Sequence, residues 1–421
     1  MPGYGGPAVA SRGLNRAGTR AGEPVNLQMF AALTGIYDSG LTSVTLNEKG
    51  EIPNFGGLFG VEANLGVYGT RKWRRKHLGL DYQGNYRHYS GRTYFDGSDH
   101  MLGLDYGMQV TRRSSVNFRT IAGTLSRALA GNFSFASADP FFIGIPLTEV
   151  FDNRAYFLES AGSYTIELGN RNSIQIGGSG FAVRRQSRAL VGLNGYRTFA
   201  DFSRRITRNQ TVGIGYQFFH IDYPRAFGEA DIHGLFLQYS RQIGRKWQAA
   251  LSIGGMRSDL AGIRTVEIDP VVAELLGQRQ GREAFNVVNH LPTSIVNITR
   301  TFRRSSVFLT YNRGFNPGTG VMLLSRMQSA GGGFSYNDGR RWSVTASLDY
   351  FSVVGTGAFA GRLNSTAPGV TFSYRIREEL HFTASGFYRR MAVNRTGFQR
   401  DSSRFSLGLT YSPGPIPVWT R

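Results

Sequence analysis

The strongest constraint in this chain is a two-residue alternation of apolar with small or polar side chains, sustained over unusually long stretches. In GRRWSVTASLDYFSVV, residues 339–354, Trp342, Val344, Ala346, Leu348 and Tyr350 fall on one side of an extended chain. Ser343, Thr345, Ser347 and Asp349 fall on the other. Strand side chains point alternately to opposite faces, so this is a two-faced strand with aromatic rings on its apolar side. The pattern recurs. Phe59, Val61, Ala63, Leu65 and Val67 alternate with Gly60, Glu62, Asn64 and Gly66, and Leu102, Leu104 and Tyr106 with Gly103, Asp105 and Gly107. Val212, Ile214, Tyr216 and Phe218 alternate with Gly213, Gly215 and Gln217, and Phe405, Leu407, Leu409 and Tyr411 with Ser406, Gly408 and Thr410.

These stretches run about 10 to 14 residues, roughly twice the usual globular strand. Ten residues at about 3.3 Å each, tilted by about 45°, cover roughly 24 Å, the height of a membrane barrel's apolar band. Connections alternate between short ones, such as TRRSS, TRNQ and NDGRRW, and long ones at 38–56, 90–99, 128–152, 259–284 and 352–362. The expected fold is therefore all-β. It is a transmembrane, up-and-down antiparallel β-barrel of about 18 strands (roughly 16–18), with short periplasmic turns and long extracellular loops. Its strand cores include 247–257, 286–300 and 321–336.

Composition supports this reading. The 421 residues include no Cys, which removes disulfides, thiolate metal sites and thiol catalysis. Fifty-five Gly and 13% aromatics against 18% charged residues suit turn-rich β structure. No run of 18 apolar residues exists to form a transmembrane helix. The net charge of +20 calls for an anionic partner or surroundings. A soluble basic β protein binding nucleic acid would gather its cations in one patch. Here Arg is spread along the chain and collects at turns, so membrane or anionic-solute contact is expected and nucleic acid is not. Residues 1–26 read as a flexible Gly/Ala/Arg-rich segment without the apolar core of a secretory signal. Residues 27–412 form the barrel and 413–421 a C-terminal tail that carries Trp419.

Trp73, Trp247 and Trp342 each follow two basic residues at a short turn: Arg71-Lys72, Arg245-Lys246 and Arg340-Arg341. An indole half in apolar surroundings with its N–H wet suits a membrane boundary, so these are read as interface anchors. The alternative is a buried Trp at the start of an ordinary basic hairpin. Together, the alternating strands, basic turns, aromatic strand ends and lack of Cys resemble Gram-negative outer-membrane β-barrel proteins of porin-like size, over residues 27–412 and without a subfamily signature. That resemblance implies residence in the cell outer membrane, contact with its lipid and lipopolysaccharide, and recognition of the last strand, Phe405–Tyr411, by the barrel assembly machinery. It departs from the family pattern in continuing past Tyr411.

By alternation, the face opposite the apolar one carries Glu62, Asp81, Asp105, Glu159 and Asp349 with Arg87, Arg119, Arg326 and Arg389. Unpaired in a dry core these would cost several kcal/mol each. In a lumen they either set a field that selects solutes by charge or form salt bridges that stiffen the barrel. The apolar loop 130–149 reads as an inward-folded constriction or as a sticky outer patch. In 259–284, Asp269 before Pro270 offers the start of a short lid helix or mere loop decoration. HID and DIH suggest a hairpin pairing His220 with His233 and Asp222 with Asp231 at the rim, either hydrated or holding a divalent metal. His220 shares the face of Phe218, outside any lumen. Ser179 and the glycines of GIGY read as strand, and Gly331-Gly332-Gly333 as a bulge or a close packing point. No catalytic set, cofactor site or resident metal is called for. The expected function is a channel for passive diffusion of small hydrophilic, preferentially anionic solutes. An export or interaction barrel for an acidic polymer or protein is the rival.

Overall fold

The computed structural model describes residues 26–42, 54–91, 95–126, 153–244, 246–269, 274, 277–338, 340–356, 361–394, 398–413 and 416–417. Eighteen strands form one closed antiparallel ring. In chain order they are β1 (Asn26–Asp38), β2 (Leu58–Lys72), β3 (Lys76–Tyr89), β4 (Gly97–Thr111), β5 (Ser114–Leu125) and β6 (Ala155–Glu167). Next come β7 (Asn172–Arg185), β8 (Leu193–Thr207), β9 (Gln210–Tyr223), β10 (Gly228–Ile243), β11 (Trp247–Glu267) and β12 (Gln280–Thr301). The ring ends with β13 (Ser305–Asn316), β14 (Ser325–Asn337), β15 (Trp342–Gly355), β16 (Arg362–Arg375), β17 (Leu380–Asn394) and β18 (Phe398–Tyr411). β18 closes on β1, with Tyr411 opposite Ala31 and Arg404 opposite Asp38. Closure removes every free sheet edge, which lets strands cross a region without water. This is the up-and-down barrel that the alternation implied.

The short turns are built by local polar chemistry. Between β14 and β15, Asp338 Oδ1 accepts the backbone N–H groups of Arg340, Arg341 and Trp342 at 2.7, 2.9 and 3.2 Å, so one carboxylate reverses the chain. Desolvation pushes its carboxyl up, but the three donors and the Arg304 charge together outweigh it and hold the group below the usual carboxylate range. Register shifts near Thr111 and Thr207 absorb one residue each where β4 and β8 enter their turns.

Alternation assigns the two faces. Leu348 and Leu407, 55% and 60% exposed, stand on the outside. Glu62 and Asp349, on the opposite parity, are 6% and 5% exposed inside the ring. The run Gly331-Gly332-Gly333 holds regular register with both neighbours, so it is not a bulge. It is a close packing point, because a Cβ at Gly333 would run into the ring of Phe308.

Three expectations change. β11 and β12 pair without interruption from Trp247–Arg300 to Glu267–Gln280, so most of the loop expected at 259–284 is a hairpin rising past the neighbouring strands. The cores at 247–257 and 286–300 were too short because alternation continues through Leu260, Gly262 and Arg264 with weaker apolar contrast. β14 begins at Ser325 and not at 321. Segment 1–25, loop 130–149, most of the helix proposed after Asp269, and Trp419 lie outside the described residues.

Candidate functional site: the lumen and its mouths

In the long-loop half of the lumen, charges are buried and paired across the closing seam. Glu62 on β2 stands opposite Arg87 on β3. Its Oε2 lies 3.7 Å from Arg87 Nη1 and accepts Arg404 Nη2 of β18 at 2.5 Å, and its Oε1 accepts Asn64 Nδ2 at 2.9 Å. Arg87 Nη2 also donates to Asp99 on β4 at 2.5 Å, and Tyr89 Oη donates to Asp38 on β1 at 2.5 Å. The network thus ties β18 to β4 through β1, β2 and β3. Arg87 has no exposed surface. A cation in that state is stable only because two carboxylates surround it.

The facing wall at this level is apolar. Phe157, Phe181, Val183, Leu193, Phe219 and Ile221 form one buried cluster on the inner faces of β6 to β9, joined by Leu324. Leu324 belongs to segment 317–324, which leaves β13 and folds inward instead of standing over the rim. Tyr223 Oη donates to Pro317 O at 2.5 Å, and Val191 N donates to Gly320 O at 2.8 Å. Gly320 has φ of +83°, and a Cβ there would meet Arg185 Nε at 2.7 Å, so the position demands glycine. Met322 packs with Phe351, Val353, Leu363 and Met391. The segment therefore straps the wall of β7 to β10 to that of β15 to β17. By alternation alone VMLL, residues 321–324, would extend β14 toward its N-terminus. The signal available was Pro317-Gly318-Thr319-Gly320, four turn-formers before an apolar run.

Below the strap the lumen opens. A cavity of about 350 Å³ is lined by Arg197, Asp201, Gln217 and Gln238 together with Phe219 and Phe236. Gln238 Nε2 donates to Asp201 Oδ1 at 2.9 Å, and the Arg197 guanidinium lies 5.0 Å from the ring of Phe199. Nearer the short turns, His77 Nε2 lies 2.9 Å from Asp105 Oδ1, and Asp105 is directly opposite Arg119.

The structure distributes the expected pore-lining residues over three environments. Asp81, Asp105 and Arg119 lie on the inner face of the open half. Glu62, Arg87, Glu159, Asp349 and Arg389 face inward but are buried, Glu159 completely and Arg389 beside Ser365 and the ring of Phe351. Arg326 is a correction. Counting by twos from the exposed Phe334 puts it on the outer face, where Gln328 donates to Tyr311 Oη at 3.2 Å, and Arg326 itself reaches Asn289 near the rim. Its polar neighbours had suggested the lumen because outer faces turn polar above the apolar band.

The rim hairpin also differs from the expected pairing. His220 stands opposite Asp231, and His233 opposite Phe218, because the turn Pro224–Phe227 shifts the register by two residues. His220 Nδ1 lies 2.7 Å from Asp231 Oδ1, and His233 Nδ1 lies 2.8 Å from Tyr216 Oη. The four groups do not converge, and no cluster of three or more His, Asp or Glu suited to a metal occurs among the described residues. Trp73 and Trp247 are exposed at the short-turn end beneath the guanidinium groups of Arg71 and Arg300, at 4.9 and 4.7 Å. Trp342 packs on Tyr336 at 5.0 Å.

A closed ring of strands, greasy outside and ionised within, defines a membrane-spanning β-barrel. No protein-family signature and no curated protein matches the sequence. Among solved structures, the chain is similar to a BenF-like porin from Pseudomonas fluorescens Pf-5, with 9% identity, TM-score 0.44, and 92% of this chain and 99% of that one covered. It is similar to Pseudomonas aeruginosa OccK2 (OpdF) in complex with glucuronate, with 11% identity, TM-score 0.43, and 92% and 98% covered. It is also similar to Acinetobacter baumannii OccAB4, with 10% identity, TM-score 0.41, and 92% and 98% covered. Likeness at this level assigns no residue of this chain a role.

Proposed function

We propose that this barrel lies in the outer membrane of a Gram-negative cell and passes small hydrophilic solutes, anions in preference to cations, by diffusion. The observation that carries the reading is the inversion of polarity: Leu348 and Leu407 outside, Asp105, Arg119 and Arg197 inside. Two features shape the passage. Arginines crowd the short-turn mouth, Arg112 and Arg113 among them, and raise the local anion concentration there. Segment 317–324 reaches from the wall of β7 to β10 to that of β15 to β17 and so stands across the passage as a gate to be displaced.

The test is single-channel recording in a planar bilayer under a KCl gradient. The account predicts infrequent openings with a reversal potential displaced toward that of chloride, and a higher open fraction once residues 318–323 are deleted. Silence from both proteins, each shown folded by resistance to SDS before boiling, would instead favour a barrel that holds a partner.

A further inference from the structure

A second site lies at the short-turn mouth, away from the strap and the closing seam. The β2–β3 and β4–β5 turns stand side by side there and enclose a cavity of about 430 Å³. Its lips carry Lys72, Arg74, Arg75, Lys76, Arg112 and Arg113, opposed among the lining residues by one carboxylate, Glu167. The turns are fixed by their backbones. Trp73 N donates to Lys76 O, Gln109 N to Arg75 O, and Glu167 N to Arg113 O, each at 2.7 Å. Gln109, Ser115, Asn117 and Thr165 supply neutral polar groups along the floor.

Among the described residues, none of Arg74, Arg75, Lys76, Arg112 and Arg113 makes an ion pair. By contrast, Arg87 and Arg404 at the closing seam each meet a carboxylate. A cluster of like charges around a concavity repels itself, and an anion placed in the middle relieves every pair at once. Guanidinium forks match the oxygen geometry of phosphate two bonds at a time. Singly charged carboxylates would answer only one or two of these cations. A di- or polyphosphate group can engage four or more.

We propose that this cavity binds a phosphate-bearing anion, held by Arg74, Arg75, Arg112 and Arg113 with Lys72 and Lys76 at its edge. The phosphate belongs either to a soluble phosphorylated compound reaching the mouth or to an anionic phospholipid headgroup at the rim. The chemistry of recognition is the same for both. The proposal rests on the barrel and not on conduction, so a silent channel leaves it standing.

The probe is pyrophosphate, titrated calorimetrically into the full chain in dodecyl maltoside micelles, which carry no phosphate. Saturable binding that weakens steeply with added salt is expected. R112S/R113S should weaken it about tenfold, since two of the charge-assisted contacts are gone. R340S/R341S, which removes equal charge from a turn across the ring, should change it less than about twofold because exposed distant charges are screened. Absence of binding in micelles, or equal weakening by both variants, overturns the proposal. The titration is then repeated in nanodiscs. Affinity lost when phosphatidylcholine is replaced by phosphatidylglycerol supports the site with a lipid phosphate as occupant. Affinity unchanged supports it with a soluble one.

Discussion

In the long-loop half, Arg87 has no exposed surface and lies between Asp99 and Glu62, whereas at the short-turn mouth Arg112 and Arg113 are exposed and meet no carboxylate. The same residue type is treated in opposite ways at the two ends of the barrel. The difference is one of solvent. Where the closing seam excludes water, Arg87 and Arg404 are each held by a carboxylate within hydrogen-bond reach. Where water enters, like charges coexist at modest cost and are free to act on solutes. The net charge of +20 is therefore concentrated in effect at one mouth, and the packed half is close to balanced.

The sharpest way to break this contrast is to remove a partner from the buried network. Glu62→Leu leaves Arg87 and Arg404 under-compensated and should cost about 3–5 kcal/mol in urea unfolding of the lipid-embedded barrel. R112S/R113S should cost less than about 0.5 kcal/mol in the same assay. Equal losses would erase the distinction between the halves. Next in size comes the outer face: Leu348→Arg should cost about 2–4 kcal/mol at mid-bilayer. Ser347→Arg, one position along and facing the lumen, should cost clearly less.

A double-mutant cycle on Trp247 and Arg300 should return a coupling of about 0.5–1 kcal/mol, the size of an exposed cation–π contact. The smallest effect is at Asp338. Its folded pKa is depressed, so its contribution is present above the unfolded value and is lost as pH falls through the folded one. Stability measured from about pH 5 down to about pH 2 should therefore fall more for wild type than for Asp338→Asn.

The ring itself was legible because alternation over twelve or more residues has few other solutions. Phe59 to Val67 and Phe405 to Tyr411 showed which side of each strand is greasy. They could not show how wet the other side is. Glu62 and Asp105 look alike in sequence, yet one is sealed by Arg87 and Arg404 and the other borders an open lumen. That depends on partners brought together by ring closure, just as the inward course of segment 317–324 is set by Tyr223 at the end of β9 and Val191 in the turn after β7. Face assignment failed at Arg326 for a local reason: alternation gives relative parity, and near a rim polarity no longer marks the side. The His220–Asp231 register depended on a four-residue turn that the palindrome HID…DIH disguised.

The central claim is that β15 carries hydrocarbon-facing and lumen-facing side chains in strict alternation. Because the chain has no native Cys, single cysteines can be placed at Ser347, Leu348, Asp349 and Tyr350 and spin-labelled in a reconstituted bilayer. The account predicts high collision rates with dissolved oxygen at 348 and 350 and low rates at 347 and 349. Uniform rates along the four positions, or the opposite phase, would contradict it.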